Sequence, residues 1–258
     1  MLPTCYSLAP LNNQITRVER LSAESFISNH FFTDYCMYTY QENLLYAPTL
    51  PRPARYLDAT HIMPKREFTP DAAGSYKAVE LEFLFTALHH HGGIWAASDY
   101  VLLDNLPERE FCVVQDTLYP VVMHLRQHSN FAHDALQCIK RVRKAASKQN
   151  QAVPIDKLMQ VLTDLVPVTL KTYSARKALT LASSDDVFQQ ITNPELVPTL
   201  KNNFGVWLHT HTWIEHGCAR NTQFSQDSLY EKLWNNFYGS RKPEPRVEKS
   251  RKRAKAAV

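Results

Sequence analysis

Glycine is scarce in this chain, which has only 6 glycines among 258 residues. Tight hairpin turns and phosphate-binding loops rely on glycine, because it adopts positive φ angles without steric cost. Folds built on many hairpins, and loops rich in glycine, are therefore disfavoured. A chain of this length can still bury roughly three quarters of the surface that it exposes when unfolded, so it can form its own core.

Helical periodicity recurs through most of the chain after Tyr76. Between Lys77 and His91 apolar residues repeat at near-helical spacing, and Gly92-Gly93 follows as a stop. Ser129 is a suitable N-cap for a second clear helix at 130–148. Further helices are predicted at 107–127 with a kink at Pro120, from Pro154 to 165, in three short pieces between 174 and 203, and from Ser225 to Gly239. The pattern predicts a mainly α fold, or α+β with a few short strands, in a multi-helix globular body.

The first 75 residues differ from this body. They are rich in tyrosine and proline, as in the stretch from Tyr35 to Pro53, and they read as a long connection or a set of short irregular strands. The sequence therefore predicts three regions: an irregular N-terminal region at 1–75, a helical body at 76–239, and a tail at 240–258.

The tail carries the net positive charge of the chain. Residues 241–258 hold eight basic and two acidic residues, while the remainder holds 21 basic and 23 acidic residues. With almost no large apolar side chains, the tail is expected to be disordered. Four of its cations are candidate phosphate contacts: Lys249, Arg251, Lys252 and Arg253. A solubilising tail and a nuclear localisation signal are the alternatives.

A second basic surface is predicted on the helix at 130–148. Lys140, Arg141, Lys144 and Lys148 share one face, opposite the apolar positions of the same helix. Cations along a helix face are able to follow a phosphate backbone. The alternative is an ordinary solvated helix face.

Two histidine clusters are candidates for further chemistry. His89, His90 and His91 end a helix, where positive charge interacts favourably with the helix dipole, and helical neighbours point about 100° apart. His209 and His211 would point to one face if Gly205–Trp213 is a strand, and could then hold a divalent metal. The same stretch also fits a helical stripe, which would separate the two rings.

The His-Thr-His step resembles that of the JAMM metalloprotease family and, more loosely, that of the HUH nucleases. Thr212 stands where JAMM sequences have proline, and Arg220 and Gln223 stand where that family has serine and aspartate. The resemblance implies a metal-dependent hydrolase or nuclease. If His209 and His211 bind the metal of such an enzyme, His216, Glu215 or Asp227 would complete the metal shell.

Several other classes lack support. The five cysteines show no CxxC spacing, which disfavours a zinc knuckle and fits a reducing, cytoplasmic compartment, with a nucleoid or nuclear location as variants. No apolar run approaches the roughly 20 residues of a membrane span. P-loop, GxGxxG, GxSxG and HExxH motifs are absent, so no cofactor and no small-molecule substrate is predicted.

These features together favour a non-catalytic, nucleic-acid-binding subunit of a nucleoprotein assembly, with protein partners and without membrane contact. The basic helix face and the tail would contact phosphates. The metal-dependent enzyme that uses His209 and His211 is the second hypothesis, and a protein-binding adaptor is the third.

Overall fold

A computed structural model of the chain describes residues 3–10, 15–29, 34–40, 50–51, 53–179, 187–196, 200 and 203–239. The basic tail, with Lys249, Arg251, Lys252 and Arg253, lies outside these described residues, so the predicted disorder and phosphate contacts of the tail stay predictions.

Nine strands are defined in the described part of the chain. They are β1 (Cys5–Leu8), β2 (Tyr35–Thr39), β3 (Arg55–Asp58), β4 (Gly93–Ala96), β5 (Tyr100–Leu102), β6 (Phe111–Val114), β7 (Leu118–Leu125), β8 (Lys171–Tyr173) and β9 (Gly205–Trp207). Seven of them form a mixed sheet in the order β3-β2-β1-β4-β7-β6-β8, and β5 pairs with β9 in a separate ribbon. Strands β3, β2, β1 and β4 are parallel, whereas β7 runs antiparallel to both of its neighbours.

Eight α-helices in the described residues connect and cover these strands. They are α1 (Arg17–Asn29), α2 (Lys77–His91), α3 (Asn130–Gln149), α4 (Ile155–Asp164), α5 (Ala175–Leu179), α6 (Val187–Thr192), α7 (Thr210–Glu215) and α8 (Leu229–Tyr238). Short 3₁₀ turns occupy Ala59–His61, Lys65–Glu67 and Pro194–Leu196.

The core lies on both faces of the sheet. Helices α2, α3 and α4 pack on one face, where Tyr38, Trp95 and Met123 point. Helices α1 and α5 pack on the other face, which receives alternate strand residues such as Tyr35 and Ile94. A third cluster joins α1 to α8 and to the β5–β9 ribbon. Helices on both faces of a largely parallel sheet define an α/β architecture.

The prediction of a mainly α fold with an irregular N-terminal segment is therefore wrong. Residues before Tyr76 contribute β1, β2 and β3, three parallel strands of the main sheet. All five residues of β2 are buried, so the strand lacks the apolar–polar alternation that marks a half-exposed strand. A short strand that is buried throughout has no period-two pattern, so its sequence is not distinguishable from that of an irregular segment.

The predicted helix at 107–127 is another error. This stretch forms the β6–β7 hairpin, and Pro120 falls where the register between the two strands shifts. Proline is tolerated there because the irregular pairing needs no N–H from it. By contrast, the predictions for α2 and α3 are confirmed, including the cap at Ser129, whose side chain accepts a hydrogen bond from the Ala132 N–H.

Candidate functional site at the carboxyl edge of the sheet

The order in which the chain adds strands to the sheet reverses between the neighbouring parallel strands β1 and β4. Strand β1 leads through α1 to β2 on one side, while β4 pairs with β1 on the other side. In open α/β sheets, ligands bind in the crevice outside the carboxyl ends of the strands at such a switch point. Here that position is bordered by Ala9 after β1 and by Ala97, Ser98 and Asp99 after β4.

Asp99 is a buried carboxylate at this point, only 8% exposed. Its Oδ1 accepts a hydrogen bond from the Trp207 indole at 3.0 Å. Its Oδ2 accepts from the Thr210 N–H at 3.0 Å and from the Thr210 hydroxyl at 2.8 Å, and its carbonyl accepts from the Leu208 N–H at 3.0 Å. Asp99 therefore fixes the segment that joins β9 to α7 against the end of β4.

His209 lies in the centre of that segment in a strained conformation. Its φ of 47° and ψ of 44° are left-handed, which is uncommon for a residue other than glycine and is often found at functional sites. Its ring packs on the Trp207 ring, with 3.6 Å between centroids. Burial, followed by the charge of His211, lowers the pKa of His209 to about 4 against the raising effect of Asp99. His209 is thus neutral at pH 7.

His211 is the exposed member of the histidine pair. Its ring centroid lies 5.7 Å from that of His209 and 5.8 Å from that of Trp207. The two histidines do not sit on a strand, because β9 ends at Trp207 and α7 begins at Thr210. Within the described ranges no group of three or more His, Cys, Asp or Glu side chains is placed to hold a metal. A metal at His209 and His211 stays a prediction.

Arg220 brings a positive charge to the same corner. Its guanidinium forms an ion pair with Glu19, which is fully buried at the start of α1, and donates to the Ser98 hydroxyl at 3.5 Å. Glu19 also accepts a hydrogen bond from the Thr16 N–H at 2.7 Å, which caps α1. The Arg220 Nε is buried and finds no hydrogen-bond acceptor among the described residues.

The first turn of α2 supplies a second carboxylate. Because α2 leads directly into β4 and runs antiparallel to it, its N-terminus lies at the carboxyl edge of the strand. Glu80 is open to solvent, yet neighbouring protein atoms desolvate its carboxyl. That desolvation, together with the charge of Asp99, raises the pKa of Glu80, and Lys77 opposes the shift.

The sequence predictions missed Ser98, Asp99, Glu80 and Arg220. A usable signal existed, because the polar pair Ser98-Asp99 directly follows a run of apolar residues from Ile94 to Ala97. The structure ends β4 at Ala96 and begins β5 at Tyr100, so the polar pair lies in the turn between two strands. No local pattern marks Glu80 or Arg220, since both reach the site through tertiary packing.

The predicted basic helix face is present on α3 but lies elsewhere. Lys140, Arg141, Lys144 and Lys148 are all exposed. Lys140 and Lys144 border a cavity of about 540 Å³ between α2, α3 and the segment 67–75, together with Arg143. Arg143 is paired with Glu82 across this cavity. Asp99, His209 and His211 do not line it.

Comparisons with known proteins give little. No protein-family model and no curated protein matches the chain. Among solved structures, a chain described as "PaToxG Glycosyltransferase" aligns over 92% of this chain and 84% of its own length, with 10% identity and a TM-score of 0.42. A TM-score this low does not establish a shared fold, so no residue role is carried over.

The prediction of a non-catalytic nucleic-acid-binding subunit is wrong. It assumed a helical body that presents a basic face, whereas the body is an α/β sheet domain with its polar cluster at the carboxyl edge of the strands. Neither the described residues nor the comparisons support nucleic-acid binding. No helix in the described part of the chain is long and apolar enough to cross a membrane.

Proposed function

We propose that the chain is a transferase that binds a nucleoside diphosphate-linked sugar at the switch point and passes the sugar to an acceptor hydroxyl. The observation that carries this proposal is the corner centred on Asp99. There the parallel strands β1 and β4 end beside a carboxyl of raised pKa on Glu80 and a buried Arg220 donor for which the described residues supply no acceptor.

The strand arrangement supports a nucleotide as part of the substrate. Strands β1, β2 and β3, with α1 between the first two, have the parallel order of a mononucleotide-binding half. The connection from β1 to α1 contains no glycine, so a glycine-rich loop does not cradle the phosphates. Cationic side chains are then suited to neutralise them, and Arg220 and Lys77 are two cations that the described residues bring to this edge.

The charges also suit group transfer. A raised pKa makes an ionised carboxylate a stronger base, and desolvation and the charge of Asp99 raise the pKa of Glu80. The bond between the acceptor oxygen and the sugar carbon forms as the bond from that carbon to the diphosphate breaks. The hydroxyl proton goes to Glu80, and the leaving diphosphate keeps the electron pair. Arg220 and Lys77 stabilise the negative charge that develops on it.

Calorimetric titration of the full chain with the diphosphates of uridine, guanosine and adenosine tests binding. We expect one of them to bind with a dissociation constant below roughly 1 mM, and Lys77→Ala and Arg220→Lys to weaken it. Lys148→Ala, which removes an exposed cation on α3, is the matched control and should bind like the wild type. Absence of binding by all three nucleotides would refute the proposal.

Release of nucleoside diphosphate from a panel of nucleotide sugars tests the transfer step. Glu80→Gln keeps the size of the side chain but removes the base, so turnover should fall by roughly 10²-fold or more while nucleotide binding is retained. Unchanged turnover would remove Glu80 from the mechanism. A cytoplasmic location and protein partners remain proposals beside this one.

A further inference from the structure

Four histidines from three segments meet at the amino edge of the sheet, at the far end of α2 from the candidate site. His89 is central. Its ring centroid lies 5.4 Å from that of His128, 5.4 Å from that of His133 and 5.8 Å from that of His90. We call this group the histidine corner. It takes no part in the proposed reaction.

The histidine corner joins the end of α2 to the turn between β7 and α3. The His128 N–H donates to the His89 carbonyl at 2.9 Å, and the Gln127 side chain donates to the His90 carbonyl at 2.6 Å. The end of α2 and the β7–α3 turn pack closely at Gly92, where a Cβ would lie 2.3 Å from the Gln127 nitrogen. His128 itself has a left-handed φ of 58°, a strained conformation that the surrounding contacts must maintain.

The surroundings of His89 oppose a positive charge. Burial, then His128, His133 and His90 in that order, lower the pKa of His89. The Nδ1 of His89 is buried without a hydrogen-bond partner among the described residues. The N-terminus of α3, capped by Ser129, adds its positive dipole end beside His128 and His133.

Among the residues that the structure describes, no carboxylate is one of the groups that raise the pKa of His89. Asp134 follows His133 on α3 but is not among the groups that shift the pKa of His89. Glu110 is directed to Arg126, with 3.6 Å between the charged atoms. A backbone hydrogen bond with Ser129 raises the pKa of His89, but burial and the three neighbouring histidines outweigh it, and the net shift is downward.

We propose that the histidine corner is a pH-sensitive latch, which holds α2 to the β7–α3 turn while the His89 imidazole is neutral and releases the turn when that ring takes up a proton. The sign follows from linkage. A base whose pKa is lowered in the closed state binds fewer protons there than in the open state. Closure is therefore most stable above the ordinary histidine pKa of about 6.5 and weakens as the pH falls below it.

Opening of the latch would be local. The first turn of α3 is anchored to α2 by Phe131, whose ring meets that of Phe85 edge-on at 5.7 Å. Release of the turn would expose backbone amides around His89 and from Arg126 to His133. The sheet itself would stay folded, since helix ends can open well below the free energy of global unfolding.

Hydrogen exchange of the full chain at pH 7.5 and 5.0, corrected for the intrinsic pH dependence of exchange, tests the proposal. Peptides that cover 86–92 and 126–136 should lose about tenfold protection at pH 5.0 in the wild type. The loss should be at most about threefold in His89→Gln, which stays neutral at both pH values. His61→Gln, an exposed histidine outside the histidine corner, should behave like the wild type.

Equal loss in His89→Gln and the wild type, or full protection of the wild type at pH 5.0, would overturn the latch. Should His89→Gln fail to fold, His133→Gln removes an exposed neighbour instead and should give an intermediate loss. Titration of the imidazole nitrogens by NMR gives a direct check. His89 should titrate below about 6.5, and titration at or above that value refutes the proposal.

Discussion

Asp99 holds Trp207 across 108 residues of sequence, with the indole N–H donating to the carboxylate at 3.0 Å. The same carboxylate accepts two hydrogen bonds from Thr210. One side chain at the end of β4 thereby orders the segment that carries both His209 and His211.

Asp99→Asn should lower the free energy of unfolding by about 1–3 kcal/mol. An amide has only one acceptor oxygen, so its NH₂ group would face either Trp207 or the two donors of Thr210, and buried donors would lose their partners. Urea denaturation measures the change. Asp116→Asn, in the exposed β6–β7 turn, is the control and should change stability by less than about 0.5 kcal/mol. Equal effects of the two substitutions would contradict a structural role for Asp99.

The folded state should weaken in acid partly because of His209. Its pKa of about 4 lies below that of an unfolded histidine, so the unfolded state binds more protons and stability falls as the pH drops from about 6.5 toward 4. With each pKa unit equal to about 1.4 kcal/mol, and allowing for solvent screening, we expect a contribution of roughly 1–3 kcal/mol.

His209→Asn isolates this contribution, because asparagine tolerates the left-handed backbone but does not titrate. Thermal unfolding from pH 7 to pH 4 should show a smaller loss of Tm in this variant than in the wild type. Parallel curves would mean that His209 does not titrate in the expected range and that other histidines cause the acid sensitivity.

Arg17→Lys should destabilise the junction between α1 and α8. The Arg17 guanidinium donates two hydrogen bonds to Glu231, at 2.9 and 2.8 Å, and lies 4.3 Å above the Trp234 ring. Lysine cannot reproduce the bidentate geometry, so a loss of about 1–2 kcal/mol is expected in chemical denaturation. Arg126→Lys is the matched control, since Arg126 is 76% exposed and its pair with Glu110 spans 3.6 Å. It should cost less than about 0.5 kcal/mol.

The pH dependence of transfer should show the raised pKa of Glu80. If Glu80 accepts the acceptor proton, kcat/KM rises with pH as Glu80 ionises, and the midpoint lies above the ordinary glutamate value of about 4.3. Lys77→Ala removes a charge that lowers this pKa, so the midpoint should move to still higher pH. An unchanged midpoint in Lys77→Ala would mean that the rise of kcat/KM with pH reports the ionisation of another group.

The longer helices could be predicted from sequence because their determinants are local. The stripe of α2 and its Gly92-Gly93 stop lie within one stretch of chain, as do the stripe of α3 and its Ser129 cap. Helical hydrogen bonds join residues four apart, so periodicity and capping are sufficient to define them.

The sheet and the candidate site depend on contacts between distant residues. Strand β1 is defined by its hydrogen-bonded pairing with β2 and β4, whose residues lie about 30 and 90 positions away in the sequence. Its four residues are too few to show a period. Likewise, Glu80, Asp99, His209 and Arg220 belong to four separate segments, and each looks ordinary in its own. Only the packing of α2 and of the β9–α7 segment against the end of β4 brings their charges together and shifts the pKa values of Glu80 and His209, because burial and Coulomb interactions depend on distance in space.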